Sequence, residues 1–150
     1  MLSLQEISDR IEIQQAMVDY ASAIDQKNFD ALDRVFTADA YIDYRAMGGI
    51  DGPYPKIKAW LSETLQRFPH YYHLVGNVAL EIEGDTARSK IACFNPMQMA
   101  LPDGKTQVMF FGLWYIDQWV RTGEGWRMRE RIEEKCFDFN LPSGLNAGPA

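Results

Sequence analysis

The second half of the chain consists of four long segments in which apolar and polar residues alternate. The predicted strands cover about residues 72–83, 86–100, 107–121 and 126–138. The turns between them carry glycine, proline or aspartate, at Gly84-Asp85, Pro102-Asp103-Gly104 and Gly123-Glu124-Gly125. Long strands joined by short turns pair with their neighbours in antiparallel order. The pattern therefore predicts a meander of antiparallel strands.

The first half of the chain is predicted to be mainly helical. Ser3 suits the N-cap position, and Glu6 completes a capping box. Apolar residues then recur at helical spacing over about 18 residues and form one stripe, which contains Ile7, Ile11, Val18 and Ala21. The elements that follow are a short helix over 29–36, a strand over ADAYIDYR at 38–45, a glycine-rich loop at 48–53 and a helix over 55–67.

Helices that precede a meander of long strands are typical of an α+β fold. We expect a cone-like, curved antiparallel β-sheet wrapped around the N-terminal helices, with a small molecule at the mouth of the cone. The 150 residues fit a single domain. The sequence LPSGLNAGPA at 141–150 is predicted to be a flexible tail or a flap.

Charge and composition argue against several classes of protein. The chain has 15 Lys and Arg against 21 Asp and Glu, a net charge of −6, which disfavours binding to nucleic acid. No apolar run approaches the roughly 18 residues of a membrane span. Cys93 and Cys136 lie far apart in apolar runs, as is typical of a reducing compartment. We therefore expect a cytoplasmic protein without membrane contact.

Asp25 is unusual because a carboxylate continues the apolar stripe of the first helix. At about 100° per residue it returns to the angle of Ile7, at the C-terminal end of the helix. A buried carboxylate at this end needs a donor or a positive partner, since the helix dipole disfavours an anion there. Alternatively, the helix ends before Asp25, which then caps the next helix. The spacing leaves both interpretations open.

Both histidines of the chain lie in the sequence FPHYYHLVGN. Histidine can exchange a proton near neutral pH, but a lone histidine is more often an ordinary surface or core residue. His70 is expected at the surface. His73 begins a strand in which Leu74, Val78, Leu80 and Ile82 share the opposite face, unless a bulge at Gly76 exchanges the two faces. His73 is expected to be partly buried in either case.

Further polar and apolar residues could line a binding site. Tyr20 and Tyr44 offer hydroxyl donors, although such tyrosines commonly serve packing. Asp117 is a carboxylate among aromatic residues and is either buried or solvated. Met and aromatic residues suit an apolar wall, and the candidates are Phe94, Met97, Met99, Met109, Phe111 and Trp114. Ordinary core packing is the alternative for each of them.

The last two strands also bear on assembly. Arg127, Arg129 and Arg131 alternate along the last strand and are expected to be solvated or to face a subunit; the alternative is that Arg131 reaches the pocket. Apolar residues on both faces of 108–120 favour contact with a second subunit, and therefore a homo-oligomer. Two histidines without an adjacent carboxylate pattern make a poor ligand set, so we expect no metal and no cofactor.

Five motifs together resemble the SnoaL-like branch of the nuclear transport factor 2 superfamily. They are AIDQKNFDAL, YIDYR, HLVGN, GDTA and DQWVRTGEGWRMRER, and the resemblance extends from about Ile7 to Phe137. The family includes scytalone dehydratase, the bile-acid 7α-dehydratase and hexachlorocyclohexane dehydrochlorinase. The penultimate long strand, VMFFGLWYID, lacks the histidine and asparagine of scytalone dehydratase, which argues against scytalone as the substrate.

The resemblance implies roles for four residues. Asp25 and His73 take the positions of the Asp–His pair of these lyases, Tyr44 in IDYR that of a catalytic tyrosine, and Tyr20 in YASAID that of an active-site tyrosine. His73 would then accept a proton from carbon while Asp25 orients the ring and the tyrosines polarise a carbonyl. The expected activity is a cofactor-independent, dehydratase-like lyase acting on an apolar, polycyclic hydroxy-carbonyl compound. An isomerase or cyclase, or a non-catalytic ligand-binding protein, remains an alternative.

Overall fold

The computed structural model of the chain describes residues 1–145. Two α-helices, α1 (Leu4–Asp25) and α2 (Tyr54–Thr64), accompany seven strands: β1 (Phe36–Asp43), β2 (Asp51–Pro53), β3 (His70–Tyr71), β4 (Leu74–Glu83), β5 (Thr86–Ala100), β6 (Thr106–Thr122) and β7 (Gly125–Phe139). Three short 3₁₀ helices complete this part of the chain, at Phe29–Arg34, Arg45–Met47 and Leu65–Arg67.

The seven strands form one curved, unclosed sheet. Its order is β2-β1-β7-β6-β5-β3, and β4 also pairs with β5. The pairs are antiparallel except that β1 runs parallel to β7. This confirms the predicted α+β fold, in which a curved antiparallel sheet accompanies N-terminal helices. The core lies between α1, α2 and the concave face of the sheet.

Several predicted boundaries differ from those of the structure. The second helix is the 3₁₀ helix Phe29–Arg34, and β1 begins at Phe36, two residues earlier than predicted. Tyr44 therefore lies just beyond β1, in the turn before the next 3₁₀ helix. The predicted strand 72–83 is interrupted, so that β3 and β4 pair with different parts of β5. The segments predicted over 86–100, 107–121 and 126–138 correspond closely to β5, β6 and β7.

The buried face of α1 is not the stripe chosen from the sequence. Ile7, Ile11 and Val18 are exposed, Ile11 by 62%. The buried apolar residues of the helix are instead centred on Ile13, Met17, Tyr20 and Ile24. Apolar residues occur at helical spacing on both faces, and only one face meets the sheet. The buried face also contains the carboxylate of Asp9. Because a charged residue interrupts it, this face is difficult to recognise as apolar in the sequence.

A bulge in β4 decides which residues of this strand face the core. The pairing with β5 shifts between Gly76 and Ala79, and Asn77 adopts a positive φ of 49°. Residues on both sides of the shift therefore pack against the core, namely Val75, Val78, Leu80 and Ile82. Leu74 is 62% exposed. The alternative prediction, a bulge near Gly76, is therefore confirmed. The prediction that Leu74 shares a face with Val78 is wrong.

The C-terminal segment and the helices bear on two further predictions. Leu141 and Leu145 pack against the core; residues 146–150 of the predicted tail or flap lie outside the described residues. Within residues 1–145, no helix has the length and apolar character needed to cross a membrane.

Candidate active site

A cavity of about 140 Å³ opens between the concave face of the sheet and the helices. Its wall is largely apolar, with contributions from α1, α2 and strands β5, β6 and β7. The polar side chains at its surface are few and chemically distinct, and they include Tyr20, Tyr44, His73, Asn95 and Glu133. An apolar cavity with a few convergent polar groups is the usual form of a small-molecule site.

Asp25 holds His73 by two hydrogen bonds. Oδ1 of Asp25 lies 2.6 Å from Nδ1 of the His73 ring, and Oδ2 accepts the His73 backbone N–H at 3.0 Å. Both side chains are largely buried. Asp25 therefore does not cap the following helix, whose N-cap is Asn28. The arrangement leaves Nε2 of His73 without a hydrogen-bond partner within residues 1–145.

The position of His73 follows from an interruption of the strand ladder. Tyr72 and His73 separate β3 from β4, opposite Asn95 and Pro96 of β5. Pro96 has no N–H to donate to the ladder, and the Asn95 side chain donates to the Tyr72 carbonyl oxygen instead. The His73 N–H is left free of the ladder, and Asp25 accepts it. The interruption thus supplies the backbone donor that the carboxylate needs.

Two further contacts fasten the end of α1 to this segment. The Tyr71 hydroxyl donates to the Ile24 carbonyl oxygen at 2.7 Å, and the Lys27 ammonium donates to the Phe68 carbonyl oxygen at 2.9 Å. The Ile24 carbonyl oxygen also accepts the Lys27 backbone N–H at 3.0 Å, so Tyr71 adds a second hydrogen bond at the end of the helix. These two side-chain contacts hold the end of α1 beside the segment that contains His73, in addition to the hydrogen bonds of the Asp25 side chain.

Tyr20 and Tyr44 share a short hydrogen bond at the cavity. Their hydroxyl oxygens lie 2.6 Å apart, and both side chains are buried. Burial raises the pKa of Tyr20 to about 12 and that of Tyr44 well above its usual range, so both are neutral at physiological pH. One hydroxyl donates to the other, and the hydroxyl that accepts retains its own proton to donate to a ligand.

Arg131 and Asp117 form a buried ion pair behind these tyrosines. Nε and Nη2 of Arg131 donate to the two Asp117 oxygens at 2.7 and 2.8 Å, and the side chains are 1% and 0% exposed. The guanidinium carbon lies 4.1 Å from the ring centre of Tyr20 and 3.8 Å from that of Tyr115. Arg131 is thus neither solvated nor available to a subunit. Asp117, expected at the substrate, is not at the cavity surface and neutralises Arg131 instead.

The six candidate wall residues divide between the two faces of the sheet. Met97, Met109 and Phe111 line the cavity. Phe94 and Trp114 border a depression on the opposite face, because strand residues of opposite parity point to opposite sides. Met99 has the parity of Met97 and packs against the core, but it lies farther along β5 and does not reach the cavity.

Glu133 is a cavity residue that the sequence reasoning missed. It lies on β7 opposite Tyr115 of β6, with the parity of Arg131. Its Oε2 atom is buried without a hydrogen-bond partner. Burial holds the pKa of Glu133 well above its usual range, with Asp43 adding to this effect and Arg131 opposing it. In the sequence, RIEEK contains two adjacent glutamates, Glu133 and Glu134. Glu133 lies two residues after Arg131 and therefore faces the same side of the sheet, and this alternation distinguishes it from Glu134.

Two of the remaining expectations concern His70 and metals. His70 lies in β3 opposite Gln98 and is exposed, as expected. In the part of the chain that the structure describes, no cluster of three histidine, cysteine or acidic side chains is arranged to hold a metal ion.

Comparison with known proteins shows which family and which solved structures this chain resembles. A family model described as a SnoaL-like domain matches residues 5–132. An uncharacterized protein of Mycobacterium tuberculosis is 63% identical over 137 residues, which cover 91% of this chain and 92% of the relative. A crystal structure from Novosphingobium aromaticivorans, provisionally named a scytalone dehydratase, has a TM-score of 0.82 at 15% identity and covers 95% of this chain and 93% of its own.

A second solved structure, of a hexachlorocyclohexane dehydrochlorinase called LinA type 2, has a TM-score of 0.78 at 17% identity. The match covers 97% of each chain. At such low identities these two structures establish the fold alone. The family model, which matches most of the chain, establishes more: the protein belongs to the SnoaL-like domain family.

Proposed function

We propose that the protein is a cofactor-independent lyase in which His73 removes a proton from carbon. The observation that carries the proposal is the pair of hydrogen bonds from His73 to Asp25 at the cavity surface. A carboxylate at Nδ1 orients the ring and stabilises the imidazolium that forms when the other nitrogen takes up a proton. Nε2 is that other nitrogen.

The tyrosine pair would stabilise the negative charge that proton removal creates. When a proton leaves the carbon next to a carbonyl, charge develops on the carbonyl oxygen. Tyr20 and Tyr44 line the same cavity as His73, and one of their hydroxyl protons is available to that oxygen. Loss of a group from the neighbouring carbon then completes an elimination.

The size and character of the cavity support an apolar ligand. About 140 Å³ is close to the volume of about 150 Å³ known to accept benzene. The site would therefore hold about one ring, and further rings of a polycyclic hydroxy-carbonyl substrate would extend through the open mouth. The names of two structural neighbours, a dehydratase and a dehydrochlorinase, support elimination as the type of reaction.

Proton exchange at carbon tests the proposed base directly. Benzylacetone has one aromatic ring, a ketone and no leaving group, so a base can exchange its α-protons without further reaction. In deuterated buffer at neutral pH, we expect NMR to show exchange that His73→Gln slows by about 100-fold or more. His70→Gln changes the other, exposed histidine and should leave the rate unchanged. Equal rates for the wild type and His73→Gln would contradict the proposal.

The same base would also serve an isomerase or a cyclase, and a non-catalytic binding protein would need no base. The aldol adduct of benzaldehyde and acetone separates these possibilities, because loss of water converts it to benzylideneacetone, which absorbs in the near ultraviolet. Exchange accompanied by this product supports a lyase. Exchange without it supports an isomerase or cyclase, and binding of benzylacetone without exchange supports the binding protein.

We also propose that the protein forms a homo-oligomer. Large apolar side chains are exposed on strands β4, β6 and β7, among them Leu74, Val108, Phe137 and Phe139. Contiguous apolar surface of this kind is typical of subunit contacts. Light scattering after size-exclusion chromatography should give the mass of a dimer or a trimer, and the mass of a monomer would contradict this part of the proposal.

A further inference from the structure

Glu133 presents an unused carboxyl group to the proposed site. It lines the same cavity as His73, from β7 rather than from the segment before β4, and β5 and β6 separate the two. Base and carboxyl group therefore approach the cavity from different parts of the curved sheet. A ligand in the cavity would have His73 and Glu133 available from two directions.

The contacts of Glu133 favour the protonated acid. Neither carboxyl oxygen has a hydrogen bond to any residue within 1–145, and Oε2 is buried. An ionised carboxylate needs several donors when it is removed from water, whereas a neutral acid needs a single acceptor. The cation nearest in the chain, Arg131, already gives two hydrogen bonds to Asp117. The remaining Arg131 donor group, Nη1, is buried without a hydrogen-bond partner and so makes no bond to Glu133. Burial raises the pKa of Glu133, and the positive charge of Arg131 opposes this rise without cancelling it.

Within residues 1–145, no surrounding side chain makes a hydrogen bond to the buried Oε2 atom of Glu133. Arg131 cannot accept a hydrogen bond. Tyr20 and Tyr44 bond to each other, and Asp43 bonds to Arg45. Glu133 lines the cavity, so a bound substrate would supply an acceptor for the carboxyl O–H.

We propose that Glu133 is the catalytic acid, which protonates the oxygen that leaves during the elimination; this proposal depends on the function proposed above. His73 takes the proton from the α-carbon, and the electron pair of that C–H bond forms the new C=C bond. The C–O bond at the β-carbon breaks, and its electron pair leaves with the oxygen. Glu133 gives its proton to this oxygen, so that the group departs as water. The proton on His73 then returns to Glu133 through solvent, which restores the starting state.

Substitution by glutamine separates proton transfer from hydrogen bonding. Glu133→Gln keeps the shape and a hydrogen-bond donor but has no acidic proton. The control is Glu134→Gln, the same change at the adjacent residue, which is exposed and pairs with Lys90. Because Glu133 is neutral in this proposal, both variants should unfold at the temperature of the wild type.

Two substrates that differ only in the leaving group provide the measurement. The aldol adduct of benzaldehyde and acetone must lose hydroxide unless an acid protonates it, whereas its acetate ester loses a stable acetate ion. We expect Glu133→Gln to slow loss of water by about 100-fold or more and loss of acetate by less than about tenfold. Glu134→Gln should alter neither rate. Equal slowing of both reactions, or of neither, would overturn the role of Glu133.

The α-proton exchange of benzylacetone distinguishes failure of this inference from failure of the proposed function. Glu133→Gln should retain exchange, and His73→Gln should lose it. Exchange that survives His73→Gln refutes the base, and the ratio of the water and acetate reactions still decides the role of Glu133. Infrared spectroscopy of wild-type protein labelled with carbon-13 glutamate gives an answer independent of any variant. A neutral glutamic acid band at pH 7 is expected, and its absence would overturn the inference.

Discussion

The side chain of Asp25 binds both the ring and the backbone of His73. Its Oδ1 atom lies 2.6 Å from the ring Nδ1, and its Oδ2 atom accepts the backbone N–H at 3.0 Å. A single carboxylate thereby fixes the position of the residue and the rotation of its ring. Such fixation matters for proton transfer, since the rate depends on holding the base within hydrogen-bonding reach of the proton that it removes.

The first prediction concerns the tautomer of His73. Because Asp25 accepts from Nδ1, neutral His73 should carry its proton on Nδ1 and leave Nε2 free. Nitrogen-15 NMR can determine this directly, since the chain contains two histidines and the exposed His70 serves as an internal reference. Asp25→Asn should favour the opposite tautomer, because an amide can donate to Nδ1, and should slow exchange by about 100-fold. An unchanged tautomer in this variant would count against the arrangement.

The second prediction concerns the stability that depends on Asp117. Asp117→Ala leaves the buried guanidinium of Arg131 without its partner, and we expect a loss of about 3–5 kcal/mol in the free energy of unfolding. Urea titration provides the measurement. The control is Glu81→Ala, which removes the exposed partner of Arg88 and should cost less than about 1 kcal/mol. If both variants lost the same small amount, the ion pair would not be buried as described.

The third prediction is a dependence of stability on pH at Asp9. Arg121 donates two hydrogen bonds to this carboxylate and Trp126 a third, and these bonds hold the pKa of Asp9 far below its usual range. A lowered pKa in the folded state stabilises the protein above the unfolded pKa of about 3.9. The stabilisation is lost as the pH falls below that value towards the folded pKa.

Comparison of two helix variants isolates this effect. The difference in unfolding free energy between the wild type and Asp9→Asn should be largest near neutral pH and should shrink steadily below about pH 4. Asp19→Asn is the matched control, because Asp19 lies on the same helix, is exposed and accepts from a glutamine four residues earlier, as Asp9 does. A difference for Asp9→Asn that stays constant with pH would refute the prediction.

The fourth prediction concerns the close approach of Gly49 to Tyr44. A Cβ atom at Gly49 would lie 2.9 Å from the Tyr44 carbonyl oxygen and 2.9 Å from the Trp60 ring. Gly49→Ala must therefore displace the backbone that positions the Tyr44 hydroxyl. We expect a loss of stability of about 1–3 kcal/mol and slower exchange of benzylacetone. Gly123→Ala, where a Cβ would meet nothing within 4 Å, should change neither property.

The contact between Asp25 and His73 was expected from the sequence on a premise about α1 that is partly wrong. Asp25 drew attention because it continued the stripe of Ile7 and Val18, yet those residues face solvent. It reaches His73 because it follows the buried Ile24 at the end of the helix, where the segment before β4 passes. Helical periodicity reports that residues share a face. It does not report which face another element will cover, when two faces both carry apolar residues.

The sequence alone determined the order of helices and strands and the alternation along the long strands, because turn residues and side-chain periodicity act over a few neighbouring residues. Its motifs also indicated Asp25, His73, Tyr20 and Tyr44. The tertiary structure decided which residues face the cavity: one bulge in β4 and the parity of β5, β6 and β7 placed Met97 inside, Phe94 outside and Glu133 at the site. The reason is physical, since the side of a sheet that a residue faces is fixed by register and by the elements packed against it, and these involve residues far apart in the chain.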